Sequence, residues 1–216
     1  MLPAMSVLGL AVATVVAVVG LLLSEYRGSR CGVWIAKPLA STGFIAVALA
    51  AGALETPYGL TVLVALVLCW VGDVFLIPKG ASALFLVGLV SFLLGHVGFI
   101  LAFALLGPDP LWMAAAALLA LPPARAVLNW LRPHVSARMR TPVVAYVVVI
   151  SVMLVTAAGA AVATGSGAIG VGALCFYLSD LHVARHRFVS ASFWNKSWGL
   201  PLYYGAQLIL ASTVSP

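Results

Sequence analysis

The stretch Cys69-Trp70-Val71-Gly72-Asp73-Val74-Phe75-Leu76-Ile77 decides how this chain is read. It closes an apolar run that begins near Tyr58, and it puts an aspartate where hydrocarbon would surround it. A charged side chain inside a membrane-spanning helix costs roughly 2.5–3.5 kcal/mol on insertion scales. The arrangement returns near the other end, in Cys175-Phe176-Tyr177-Leu178-Ser179-Asp180. Two of the five acidic residues therefore stand where a carboxylate is least tolerated.

The surrounding sequence supports that reading. Of 216 residues, 64% are hydrophobic and 7% are charged, and the mean hydropathy is +1.18. A soluble domain carries about 25% charge, so this chain lacks the polar groups to cover its own surface. Its apolar runs have the length of about 20 residues needed to cross hydrocarbon as helix. The short alternating strands of a transmembrane barrel are absent. The expectation is an all-α polytopic membrane protein forming one domain over residues 1–216. Its eight spans are expected near Pro3–Leu23, Val33–Leu54, Tyr58–Ile77, Ala83–Leu106, Pro110–Trp130, Thr141–Thr164, Gly167–Ala184 and Trp198–Thr213. The first run has no basic region ahead of its long core and reads as a retained helix, not a cleaved signal.

A net charge of +6 would suit nucleic acid, but its distribution argues against that partner. The basic residues gather in alternate loops: Arg27 and Arg30, then Lys79, then Arg125, Arg132, Arg138 and Arg140, then Arg185, Arg187 and Lys196. The remaining loops and both ends carry none. The positive-inside tendency places the basic loops in the cytoplasm, against anionic headgroups, and both termini outside it. A bacterial plasma membrane fits this pattern. The cysteines number three, and Cys69 and Cys175 lie in apolar runs, so free thiols are expected.

Topology turns scattered polar residues into a layer. At ~1.5 Å per residue, Asp73 and Asp180 both sit roughly 6 Å inside the cytoplasmic ends of their helices. Lys37, Tyr146, Tyr203, Tyr204 and Gln207 fall in the same half, and His96 lies deeper. Polar groups on six spans tolerate lipid only by facing a shared interior. A faint repeat joins them. Cys69 and Asp73 are followed by Gly88-Leu89 and His96, and Cys175 and Asp180 by Gly199-Leu200 and Gln207. The Cys-to-Asp spacing differs by one, so the register is imperfect. The repeat would divide the chain into parallel four-helix halves, 1–107 and 108–216, that bring the aspartates together.

Two close carboxyls resist ionising together, so one stays an acid while the other acts as a base. That is the functional reading of Asp73 and Asp180. The structural alternative pairs each with a base such as Lys37 to hold helices together. Lys37-Pro38 reads equally as a snorkelling lysine at a helix start or as a counter-charge or phosphate contact. His96 and Gln207 could be interhelical hydrogen-bonding groups, and Tyr146, Tyr203 and Tyr204 interfacial aromatics. His182 and His186 share a helical face, as metal ligands would. With Arg185 and Arg187 beside them, a headgroup-facing basic cluster is the stronger reading, and no metal site is assigned. Phosphate loops, nucleophile elbows and zinc-protease motifs are absent.

At these residues the chain resembles the YhhN-like family of membrane lysoplasmalogenases. The resemblance rests on Val71 to Ile77, on Gly88 to Phe92 with His96, on Leu178-Ser179-Asp180 and on Tyr203-Tyr204-Gly205-Ala206-Gln207-Leu208-Ile209. Lys37-Pro38 and Ala145-Tyr146 also fit, so it spreads over nearly the whole chain. The basic stretch Leu181 to His186 and the loop 185–196 depart from the family pattern and put the headgroup preference in question. The resemblance implies hydrolysis of the vinyl-ether bond of a lysophospholipid, giving a fatty aldehyde and glycerophosphoethanolamine or glycerophosphocholine. Asp73 and Asp180 would be catalytic, and Lys37, His96, Tyr146, Ser179, Tyr203, Tyr204 and Gln207 would contact substrate. Acid–base chemistry of this kind requires no metal or organic cofactor. The rival readings are a proton-coupled transporter with the aspartates as relay, an intramembrane aspartyl protease and a lipid-binding scaffold. The protease reading is disfavoured, because Trp70 stands where its motif has glycine and Ser179 where it has tyrosine.

Overall fold

A computed structural model describes residues 6–78 and 82–214. Lys79 and the expected start of the first span at Pro3 lie outside the described residues. Among those described, the chain forms eight long α-helices. They are α1 (Val7–Tyr26), α2 (Arg30–Ala50), α3 (Pro57–Phe75), α4 (Ser82–Leu105), α5 (Pro110–Leu131), α6 (Ala137–Thr164), α7 (Gly167–Ala184) and α8 (Phe193–Ser212). A 3₁₀ turn at Arg132–His134 follows α5, and a π-helical turn at Arg185–Val189 extends α7. Seven helices are long and apolar enough to cross a membrane. The eighth, α8, has the length, but Asn195, Lys196 and Gln207 lower its hydropathy, and Asn195 and Gln207 are buried. The chain is thus an all-α polytopic membrane protein.

Capping explains where the helices depart from the expected spans. The second begins at Arg30 instead of Val33 because the Ser29 hydroxyl accepts from the Gly32 N–H at 3.2 Å. It ends at Ala50 instead of Leu54 because Gly52 turns left-handed, with φ +91°. The Ala53 and Gly52 N–H groups then donate back to Ala48 and Leu49, closing the last turn. The eighth begins at Phe193 instead of Trp198, capped by Ser192. Lys196, expected in a loop, therefore sits in the first turn of α8.

The helices pack as hairpins α1–α2, α3–α4, α5–α6 and α7–α8, held at the centre by α2–α3, α6–α7, α2–α8 and α4–α6 contacts. Gly72 lets α4 close onto α3, since a Cβ there would lie 2.6 Å from the Phe92 ring. The core is aromatic, with Phe44, Phe99, Phe103, Phe176 and Tyr204 fully buried. The outer face is apolar too, with Leu8, Leu111, Leu118 and Leu119 all more than 70% exposed. Such a surface suits lipid and not water. α5 is the most peripheral helix, with only Ala120 and Leu131 buried.

Candidate active site

A cavity of about 610 Å³ runs into the bundle from the end that carries the α1–α2 connection and the π turn. Arg30, Arg187, Lys196, His182 and His186 stand among its lining residues, and so does Glu25. Lys196 pairs with Glu25, tying α8 to α1 at the mouth. The Arg187 guanidinium lies 4.0 Å above the Phe85 ring, joining the π turn to α4. Asn195 braces this region by accepting from Arg185 at 3.1 Å and donating to the Ser190 carbonyl at 2.7 Å. Deeper in, Asp73 and Asp180 both line the wall, as do Lys37, Tyr146, Ser179 and Tyr203.

Asp73 occupies the last turn of α3 and is surrounded by donors. The Lys37 ammonium lies 3.2 Å from Oδ1 and also donates to the Asp73 backbone carbonyl at 3.0 Å. That carbonyl is one that a helix end leaves without an internal partner. Oδ2 accepts from the Ser41 and Tyr203 hydroxyls, each at 2.7 Å. Tyr204 reaches Ser41 at 3.1 Å, so a line of hydroxyls runs from Tyr204 through Ser41 to Asp73. Two hydroxyl donors and an ammonium converge on this carboxyl, the kind of charge-assisted contacts that suit an anion.

Asp180, on α7, has different company. Its Oδ2 lies 3.0 Å from His96 Nε2, and Tyr146 from α6 faces the same carboxyl. The His96 Nδ1 is 2.7 Å from the Phe92 carbonyl, which only accepts, so Nδ1 carries a hydrogen. Nε2 then faces Asp180 Oδ2 at close range, without the alignment of a hydrogen bond.

Aromatic rings join the two acids. The Phe92 ring packs 5.7 Å from Tyr203, while its carbonyl holds His96. Phe176 lies 4.2 Å from the His96 ring and 5.6 Å from Tyr203. Of the residues expected to touch substrate, His96, Tyr204 and Gln207 stand behind the cavity wall, not on it. Gln207 faces the Cys69 thiol one turn below Asp73, and its buried amide has no well-aligned oxygen or nitrogen partner. Ser179 directs its hydroxyl at the Phe176 carbonyl of its own helix, at 2.7 Å. His182 and His186 line the mouth, and among the described residues no cluster of His, Cys, Asp and Glu could hold a metal ion.

Ser41, Glu25 and Asn195 escaped the sequence reading. Ser41 lies one turn beyond Lys37 and so shares its helix face, a signal that was available. Glu25 and Asn195 carried no comparable signal, since both sit at loop edges where polar residues are ordinary.

The sequence model of the YhhN family matches residues 32–214. Two relatives named lysoplasmalogenase, from Mycobacterium bovis (strain ATCC BAA-935 / AF2122/97) and Mycobacterium tuberculosis (strain CDC 1551 / Oshkosh), are each 34% identical over 167 residues. The match covers 74% of this chain and 62% of each relative, so the chain spans less than two thirds of their length. No solved structure matches the chain.

Proposed function

The chain belongs to the YhhN family, and on that footing we propose that it hydrolyses the vinyl-ether bond of a lysoplasmalogen. The products are a fatty aldehyde and glycerophosphoethanolamine or glycerophosphocholine. One observation carries the reading: two buried aspartates on the wall of one cavity have opposite surroundings. Asp73 is ringed by donors, and Asp180 faces the His96 imidazole and the Tyr146 phenol. The printed name of the relatives supports the same activity.

Vinyl-ether hydrolysis needs this division. Asp180, with His96 behind it, donates a proton to the outer alkene carbon, and the carbon next to oxygen becomes an oxocarbenium ion. The Asp73 carboxylate stabilises that cation and takes a proton from the water that adds to it. In the resulting hemiacetal, Asp73 returns its proton to the departing glycerol oxygen. Asp180 takes the hemiacetal hydroxyl proton, and the C–O bond breaks to release aldehyde. Both carboxyls end as they began. Lys37 fixes Asp73, and the cationic mouth receives the phosphate.

The same reading takes the chain as two related halves, 1–107 and 108–216. In its support, α2 packs on α3 and α8 as α6 packs on α7 and α4. Asp73 draws Lys37 and Tyr203 from α2 and α8, and Asp180 draws Tyr146 and His96 from α6 and α4. It also places the basic mouth in the cytoplasm of a bacterial cell and both termini outside.

The test is aldehyde release by purified protein in lipid vesicles. The substrate is lysoplasmenylethanolamine, and the matched saturated alkyl-ether lysolipid is the control. Aldehyde is expected from the vinyl ether alone, because the saturated ether has no alkene carbon to protonate. Well-folded protein that releases none, but moves the lipid across the vesicle wall, would replace the hydrolase with the transporter.

A further inference from the structure

The bundle closes its two flanks differently. On one flank α1 packs against α8, and Glu25 and Lys196 tie them at the mouth. On the other, α5 packs on α6 with no comparable packing on α4 among the described residues, and the α4–α6 seam stays uncovered. A second cavity, of about 250 Å³, lies in that seam. Val90 and Leu93 from α4 and Pro142 and Ala145 from α6 line it, and its wall is almost wholly apolar. Leu89 and Tyr146 belong to this wall and also to the wall of the acid-lined cavity. Tyr146 is also the residue of α6 that faces Asp180. Val90 is 45% exposed and Ala145 is exposed, so the groove faces the surroundings of the bundle.

We propose that the α4–α6 groove holds the hydrocarbon chain of a single-chain lipid whose polar head lies at the basic mouth, and that the chain passes here between bilayer and aspartates. The identity of that chain as an alkenyl chain rests on the hydrolase reading above. Two facts fix the occupant. The groove lining carries no charged side chain, whereas the mouth carries Arg30, Arg187 and Lys196. A lysolipid is divided in the same way. Each methylene drawn through an aqueous, cationic mouth would be exposed to water, which a lateral apolar path avoids. The path also ends at the right atoms, since Leu89 and Tyr146 line both the groove and the cavity whose wall holds Asp180.

Photolabelling tests this without requiring turnover. The probe is a saturated alkyl-ether lysolipid with a diazirine at the chain end, bound to wild-type protein in vesicles, and labelled residues are mapped with and without excess unlabelled lysolipid. Competable label is expected on α4 and α6 around Val90, Leu93 and Ala145. Ala145→Trp, which fills the groove from its exposed edge, should cut that label at least fivefold. It should also raise KM for a long-chain vinyl-ether lysolipid five- to tenfold, while a four-carbon analogue keeps its kcat/KM. Val90→Trp fills the groove from the other helix and should repeat both effects, which covers the case of one variant failing to fold. Competable label confined to α1, α2 or α5, or label indifferent to both tryptophans, would overturn the groove. Because the probe is not hydrolysed, a protein that releases no aldehyde would still report on it, so the two readings fail separately.

Discussion

Asp73 and Asp180 lie in the last two turns of α3 and α7, yet the surroundings of one invert those of the other. Asp73 meets an ammonium and two hydroxyls, all of which donate. Asp180 meets the His96 imidazole and the Tyr146 phenol. Residue type therefore leaves the partners of a buried acid open, and the helices packed around it decide. The exchange of partners has a geometric source: Asp73 is served by α2 and α8, and Asp180 by α6 and α4.

The largest effect that would test this contrast is the loss of the acid that faces His96. Asp180→Asn should lower aldehyde release by about 10²–10⁴-fold, the range for a general acid. Asp73→Asn should cost about 10²–10³-fold, as for one removed electrostatic contact. Steady-state rates on folded variants check both, and a larger loss at Asp73 would reverse the assigned roles. The next effect concerns stability. Lys37→Met strands a buried carboxylate and should destabilise the protein by about 3–5 kcal/mol, as breaking a buried pair does. Adding Asp73→Asn should restore much of the melting temperature in detergent. No recovery would mean that Lys37 serves the α3 carbonyl more than the carboxylate. The smallest effect belongs to the mouth. Glu25 and Lys196 are only partly buried, at 15% and 23% side-chain exposure. Glu25→Gln should change stability by no more than about 1 kcal/mol and leave turnover of a short-chain substrate as it was. A loss comparable to that of Lys37→Met would make α1–α8 closure part of the active site.

Much of this was legible in the residues. Asp73 and Asp180 had to face inward, and so did Lys37, because lipid tolerates none of them alone. The helix starts at Arg30 and Phe193 were legible in their capping serines, but a hydrophobic window passes over polar first turns. Ser41 was legible only as a neighbour of Lys37 on one helix face.

The pairing of groups was not legible. Lys37 could as well have answered Asp180, and His96 could have been a bystander between helices. By itself the sequence determined the membrane class, the helices and the inward facing of the buried charges, since these follow from hydropathy and from the cost of burying charge. The tertiary structure decided which acid meets the lysine and which meets the histidine. It also decided which flank is closed by α1 and α8 and which seam is left open. Helical periodicity names the face a residue occupies, but only the packing of helices around one another brings two faces together.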